Sequence, residues 1–539
     1  MPALVSIIPI LLLFALMLGF KMPGYKSALI TLIVTILLAL FAAPALGMLP
    51  APLQGVSIAG ITWWAVVEGV LKAVFPILIV ILMAIYSYNI LVEDQQIETI
   101  KKQFTSISED RGIIVLILVW GFGGLLEGMA GFGTAVAIPA AILIGLGFKP
   151  MFSALVALLA NSVPVAFGAV GIPVTTLCNE ISPGGAAPAD MICEIAGLTV
   201  VQLSPLFFLI PFVILMLTER KALVKNITLT LWTGCVSLVV QYACAHFLGA
   251  ETPAILGSIA AIAAIVVYAK VFIRKKAAAA TPDGQTIEVE VSGSTRFTFA
   301  ETFKAWSVYI FILAFILISG ALCPSVNGFL KSHLVTAVDL PVIGSTFKFG
   351  WISNAGLMLF LGATVGGLIQ GVSFRKLMLI LARTLVNLRY TVITIVCLIA
   401  MSSVMNYSGM ISAIAVSLVA LTGSLYPLFA PLIGGIGTFV TGSDTSSNIL
   451  FAKLQANVAG QLGLTHPSSF FGFSGNETNW LAAGNTTGAT GGKIISPQSI
   501  AIATASCNMQ GQDGEIIKKA LPYAIAYIII SGLMVYFGL

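Results

Sequence analysis

The sequence predicts an all-α polytopic membrane protein of about 12 transmembrane helices plus two re-entrant hairpins, arranged as an inverted-topology repeat with broken helices. Three observations carry that prediction. Lys, Arg, Asp and Glu make up only 9% of the 539 residues, against roughly 25% in a soluble chain, while apolar residues reach 58% and mean hydropathy is +1.04. Long apolar runs recur along the whole chain, with Lys and Arg concentrated in alternate connections. Two Gly-rich stretches, one in each half, have related tips. So little charge cannot clothe a water-exposed surface, which excludes soluble enzymes and disordered scaffolds. The net charge of +5 is scattered through loops, so no basic face could follow a nucleic-acid backbone.

A spanning helix needs roughly 20 mostly apolar residues. Segments 3–20, 27–43, 66–90, 151–173, 197–218, 226–248, 254–273, 305–322, 350–372, 377–405, 480–509 and 520–538 meet that requirement. The first run, Ala3 to Phe20, has no basic residues before it and Lys21 and Lys26 after it, so it reads as a true span and not a cleaved signal. Residues 93–111 read as a short interfacial helix, and 277–304, with Pro282 and Gly284, as a flexible cytoplasmic linker. Lys101, Lys102 and Arg111, then Arg220, Lys221 and Lys225, then Arg274, Lys275 and Lys276 mark cytoplasmic connections, as do Arg375, Lys376, Lys518 and Lys519. The connections 44–62, 174–196 and 462–479 contain no Lys or Arg and are expected outside. This alternation works only if 112–148 and 410–462 each enter and leave on one side, as hairpins, with both termini extracytoplasmic. Cys178 and Cys193 share one connection and can pair only if it faces an oxidising side; otherwise they stay free.

The hairpin tips match: Gly131-Phe132-Gly133-Thr134-Ala135-Val136 recurs as Gly435-Ile436-Gly437-Thr438-Phe439-Val440. A broken span follows each, interrupted at Asn161-Ser162-Val163-Pro164 in one half and from Asn485-Thr486-Thr487-Gly488 to Lys493 and Ser496-Pro497 in the other. Chance similarity between Gly-rich stretches is the alternative; agreement in span count and sidedness favours a repeat. The expected division is 1–225 as the first repeat, 226–304 as two linking spans and the linker, and 305–539 as the second repeat. Non-helical backbone survives at membrane depth only where protein or a wet cavity satisfies it, and paired breaks of this kind mark a secondary transporter's central site.

Ionisable residues inside a span cost at least ~2.5–3.5 kcal/mol each at a helix centre, so the few present single themselves out. Glu127 stands among apolar residues beside the first tip, which suits a proton carrier, because burial disfavours its charged form. Asp444 stands in Thr441-Gly442-Ser443-Asp444-Thr445-Ser446-Ser447-Asn448, where hydroxyls and an amide suit a charged carboxylate or a coupling ion. Lys493 and the Ser496-Pro497 helix start can receive an anionic carboxylate. Gly133, Thr134, Asn161, Ser443, Thr445, Asn485 and Thr486, with Thr441, Ser446, Ser447 and Asn448, supply groups to read a further hydroxyl. The competing assignment is a structural ion pair between Lys493 and one of the acids. Glu68 and Lys72 read as a structural i, i+4 pair, and Arg383 and Arg389 as snorkelling or vestibule residues. His246, His333 and His466 lack metal-ligand spacing, and Gly488 to Lys493 fails as a phosphate loop because Ile494 replaces its Ser or Thr. No enzyme signature and no cofactor motif is present, so transport is expected.

The stretches Leu126-Glu127-Gly128-Met129-Ala130-Gly131-Phe132-Gly133, Gly145-Leu146-Gly147-Phe148-Lys149-Pro150 and Pro164 to Pro173 resemble the bacterial L-lactate permease family, as do Thr441 to Asn448, Asn485 to Gly488 and Ile495 to Ala501. The resemblance extends over nearly the whole chain. It implies a bacterial cytoplasmic-membrane symporter that takes up lactate, often glycolate or other short 2-hydroxy monocarboxylates, with protons. It also implies kinship with the ion-transporter superfamily. In that mechanism Glu127 protonates, the substrate carboxylate settles against Lys493 and the Ser496 helix start, and Asn161, Ser443 and Thr445 contact the hydroxyl. A sodium-coupled carboxylate transporter, with Asp444 and tip carbonyls as the ion site, is the alternative.

Overall fold

The structure is a computed structural model describing residues 2–20, 22–50, 53–105, 108, 110–129, 131, 133–273, 297–319, 323–464, 467–470, 473–509 and 512–539. Most of the expected linker 277–304 therefore lies outside the described residues, with Lys21, Arg274, Lys275, Lys276, Ala130, Phe132 and His466; its described end is already helical from Phe299. Among the described residues ten helices are long and apolar enough to cross a bilayer. There are eleven if Ala189–Leu203 and Leu206–Thr218, bent by 43°, make one span. Large apolar side chains stand fully outward on these helices, including Val224 at 77% and Phe247 at 68% exposure, a surface that suits lipid and not water. The chain is a multi-pass helical membrane protein.

A helical pair followed by a broken span occurs in each half. In the first, Ile58–Glu93 is interrupted at Ala73–Leu78, where Phe75 leaves the helical region; the amphipathic Gln96–Thr105 follows, close to the expected interfacial helix. Arg111–Met129 and Thr134–Gly145 then form an antiparallel pair, followed by Pro150–Asn161, a break, Gly168–Ile181 and the bent pair. In the second half Phe374–Asn387 and Arg389–Tyr407 meet at Leu388, then come Met410–Thr422, the pair Tyr426–Thr441 and Asp444–Gln461, Glu477–Lys493, Pro497–Ser506 and Asp513–Gly538.

Several boundaries differ from expectation. The span 377–405 is two helices, an amphipathic one carrying Arg375, Lys376 and Arg383 and an apolar one beginning at Arg389. Within the stretch 410–462 expected as a hairpin, Gly423, with φ +54, interrupts the first arm between Met410–Thr422 and Tyr426–Thr441. Gly435 to Val440 is not a tip but lies inside Tyr426–Thr441, and the turn falls at Gly442, φ +73. The six-residue match therefore aligns a turn with a helix; the counterpart of Gly131–Gly133 is Gly442–Ser443. Asn485 to Gly488 is likewise helical, and only Ile494–Ser496 interrupts the second broken span. Small β-hairpins, Val335–Leu340 with Ser345–Gly350 and Pro467–Phe470 with Phe473–Asn476, were not legible in an all-α reading.

The connections sort onto two faces. Lys225 pairs with Asp110 and Glu219, Arg383 and Lys376 approach Glu93, the Trp306 indole donates to Gln103, and the Arg111 guanidinium lies 4.6 Å from the Phe148 ring centroid. The last contact brings both ends of 112–148 to one face. On the other face the backbone N–H of Asn476 donates to Glu194, Ser345–Gly350 packs on Pro183–Gly185, and Leu49, Leu53 and Val56 pack around Leu340, Ile343 and Phe347. Connections 44–62, 174–196 and 462–479, which lack Lys and Arg, thus gather together. Cys178 and Cys193 are both free.

Candidate functional site

Helix ends meet in the interior. Arg111–Met129 brings Glu127 to its C-terminal turn, 5% exposed, with Oε2 buried and without a hydrogen-bond partner. Gly131 and Gly133, φ +62 and +85, make the turn that follows; left-handed backbone of this kind comes at little cost only to glycine. Thr134 closes the turn by donating its hydroxyl to Gly131 O at 2.8 Å. The facing break passes so close that a Cβ on Gly168 would lie 2.7 Å from Glu127 Oε1. Ala169 and Val170 beside it also have positive φ, 44 and 60, a strain of ~1–3 kcal/mol each that persists only where the surroundings enforce it.

The second turn is built differently. Ser443 caps Asp444–Gln461 by accepting from Ser446 N–H at 3.2 Å, and Thr441 donates to Gly437 O at 2.8 Å and Ser443 O at 3.1 Å. Asp444 sits in the first helical turn, where an acid complements the dipole, yet it is 3% exposed and neither carboxylate oxygen has a hydrogen-bond partner. Lys493 ends Glu477–Lys493 and donates to the Gly442 carbonyl. Among the described residues no ion pair within 4 Å joins Lys493 to either acid, so the competing assignment of a structural salt bridge finds no support. Ser496 caps the next helix, accepting from Ser499 N–H at 3.3 Å, with Pro497 in the first position.

Between these ends lies a cavity of about 420 Å³. It is bordered by Glu127, Gly131, Thr441, Ser443, Asp444, Thr445, Ser446 and Lys493 among the expected residues and their immediate neighbours. Asn161 lies beside Glu127 but outside the cavity lining. Gly133 and Thr134 face away, a Cβ at Gly133 running into Ile502. Asn448, Asn485 and Thr486 instead form a buried polar knot: the Asn448 amide donates to Pro173 O and Thr486 Oγ1 and accepts from Asn485, all at 2.9 Å. Ser447 donates to Gly434 O at 2.7 Å, which ties the two arms of the pair together, and Ser496 is used in its cap.

Sequence reading missed Gln498, which packs on Gly442, and the wall of Gly168 and Ala169. It also missed Tyr25 and Tyr390, whose rings lie 4.6 Å apart at the cavity's far end, with Thr391 and Thr394. A polar residue directly after the Ser-Pro helix start was the available signal for Gln498. The tyrosines belong to separate spans, and nothing in the sequence pairs them.

A multi-pass helical protein whose broken helices converge on a buried, charged cavity belongs to the class of membrane transport proteins. Residues 2–538 match the family described as L-lactate permease, and the chain belongs to that family. It is 38% identical over 468 residues to an L-lactate permease of Streptococcus iniae, covering 86% of this chain and 92% of the relative. It is 31% identical over 561 residues to the glycolate permease GlcA of Escherichia coli, covering 99% and 94%. An L-lactate permease of Bacillus subtilis is 31% identical over 565 residues, covering 98% and 94%. Among solved structures, Neisseria gonorrhoeae MtrF aligns with a TM-score of 0.48 and 16% identity over 95% of this chain and 94% of its own.

Proposed function

We propose that the chain imports L-lactate, and related short 2-hydroxy monocarboxylates such as glycolate, by proton symport across a bacterial cytoplasmic membrane, with both termini extracytoplasmic. The observation that carries this reading is the unpaired trio at the cavity: two acids, Glu127 and Asp444, and one cation, Lys493. With both acids ionised the trio is net negative and repels an anion. One proton on an acid makes it neutral, and Lys493 with the helix starts at Asp444 and Pro497 can then hold a carboxylate. Charge balance thus makes proton and anion enter together. Glu127 is the acid assigned the proton, because it lies at a helix C-terminal end among apolar residues, whereas Asp444 lies in a first helical turn whose dipole favours its charged form. Ser443 and Thr445 are assigned to the substrate hydroxyl; Asn161 serves by positioning Glu127 from behind.

A helical pair followed by a broken span in each half supports two repeats of opposite orientation, in which rocking of the hairpin pairs exposes the cavity to alternate sides. One proton with one anion moves no net charge, so the driving force is the pH gradient, ~1.4 kcal/mol per unit. The test is uptake into proteoliposomes with and without an inward proton gradient, with sodium present or absent, and with competing hydroxy acids. Lactate accumulation should follow the proton gradient and ignore sodium; sodium-driven accumulation would transfer the coupling role to a cation at Asp444.

A further inference from the structure

Nearly two helical turns from the cavity lies a second convergence of buried charge. Glu68 and Lys72 come from Ile58–Lys72, Glu180 from Gly168–Ile181 and Lys453 from Asp444–Gln461. None exceeds 8% side-chain exposure. Lys453 pairs with Glu180 at 2.5 Å and Lys72 with Glu68 at 3.3 Å, while Glu68 also accepts from Tyr407 at 3.0 Å and Ser345 at 3.3 Å. These groups border a cavity of about 210 Å³, which Ser182, Asn406 and Asn457 help to line.

Two features argue against a purely structural role. Four buried ionised groups are a costly way to fix helices, since well-packed apolar residues usually do as well or better. The placement is also directional. Pro173 borders the central cavity and Glu180 follows it along one helix; Ser446 borders the cavity and Lys453 follows it along another, each by about 10 Å at 1.5 Å per residue. The two helices are stitched side by side by the bond from Asn448 to Pro173 O. Both therefore lead from the central cavity to the quartet, towards the face where the connections lacking Lys and Arg gather. The central cavity, in contrast, extends to Tyr25 and Tyr390 on the other side.

We infer that the quartet is a second, outer binding site for a small monocarboxylate, in which Lys453 and Lys72 take the carboxylate before it reaches the central cavity. The carboxylates of Glu180 and Glu68 present to the lysines the same chemical group as the substrate, and they hold the site closed in its absence. Glu68 can release Lys72 because Tyr407 and Ser345 still donate to it. This inference rests on the reading of the central cavity as a monocarboxylate site.

The test pairs substitutions so that no charge is left alone: Glu180→Gln with Lys453→Met, and as a second variant Glu68→Gln with Lys72→Met. Each is purified, its melting temperature is recorded, lactate affinity is measured by calorimetry, and initial uptake into proteoliposomes is followed well below half-saturation. The expected result is native-like melting and an affinity within about twofold of the parent, but kcat/KM lowered about tenfold and no longer falling with added salt, as loss of electrostatic capture requires. An unchanged kcat/KM in a folded double variant overturns the outer site and leaves the central one intact. Failure of the parent protein to bind lactate overturns the central reading, and the outer site with it.

Discussion

The central trio and the outer quartet are both made of acids and lysines buried among helices, yet one is paired and the other is not. Lys453 and Lys72 each hold a carboxylate; Lys493 holds a backbone carbonyl, and neither oxygen of the Asp444 carboxylate has a hydrogen-bond partner. Unpaired buried polar groups cost roughly 1–3 kcal/mol, more when charged, so a fold tolerates them where something else is to occupy the place. The two sites would therefore take an anion in different ways: Lys453 and Lys72 must first give up a protein carboxylate, whereas Lys493 stands beside the central cavity with no carboxylate paired to it.

Substituting Glu127 breaks this comparison most completely. Glu127→Gln removes the only charge of the first tip without changing its shape, so proton-driven accumulation should vanish while lactate exchange across the membrane persists. Counterflow of labelled lactate measures the exchange. Uphill uptake retained in this variant would mean that the unpaired acid is a bystander.

The next largest effect is on stability and belongs to the paired site. Glu180→Gln alone leaves Lys453 buried without its carboxylate, which should cost ~3–5 kcal/mol. A large fall in melting temperature is expected, recovered when Lys453→Met is added. Glu127→Gln strands no ion-pair partner and should leave melting nearly unchanged. If both single variants melt alike, the distinction between paired and unpaired sites fails.

Lys493→Ala tests the unpaired cation directly. Charge-assisted bonds contribute ~1.5–3 kcal/mol, so lactate affinity should fall by about 10- to 150-fold in calorimetry. An unchanged dissociation constant would remove Lys493 from the carboxylate's contacts.

Much of this contrast was legible in the sequence, but unevenly. Charges inside apolar runs are rare enough that Glu127, Asp444 and Lys493 stood out, and the Ser496-Pro497 helix start announced itself by its capping chemistry. The polar knot of Asn448, Asn485 and Thr486 read as substrate-binding because polarity at membrane depth is unusual. Only the packing of the helices lets these side chains satisfy one another. The i, i+4 spacing marks Glu68 and Lys72 as a local pair, but Glu180 and Lys453 are far apart in sequence and meet only through packing. The shifted second tip has a similar cause. Gly435-Ile436-Gly437-Thr438 copies the letters of the first turn, but a helix interior tolerates glycine where a neighbour comes close: a Cβ at Gly437 would strike Ser447, and one at Gly434 the Asn485 carbonyl. Close packing and turning call for the same residue, and sequence does not separate them.

The smallest effect expected is at Gly168, and it isolates geometry from charge. Its backbone, φ −64 and ψ 154, is open to any residue, so alanine brings no conformational strain. By restricting the unfolded chain, Gly168→Ala should stabilise the fold by ~0.4–1 kcal/mol. Its Cβ would nonetheless lie 2.7 Å from Glu127 Oε1, the end of a flexible side chain, which must swing aside. An off-rotamer shift costs ~0.5–1.5 kcal/mol, equivalent to a 2- to 10-fold loss of proton-coupled uptake. The expected signature is therefore opposite in its two readouts: melting temperature level or slightly raised, coupled uptake lowered. Lys453 and Glu180 have no such neighbour, so an alanine beside them should not reproduce it. If uptake by Gly168→Ala equals that of the parent, the position of the Glu127 carboxyl does not matter to transport, and its lack of a partner is an accident of packing.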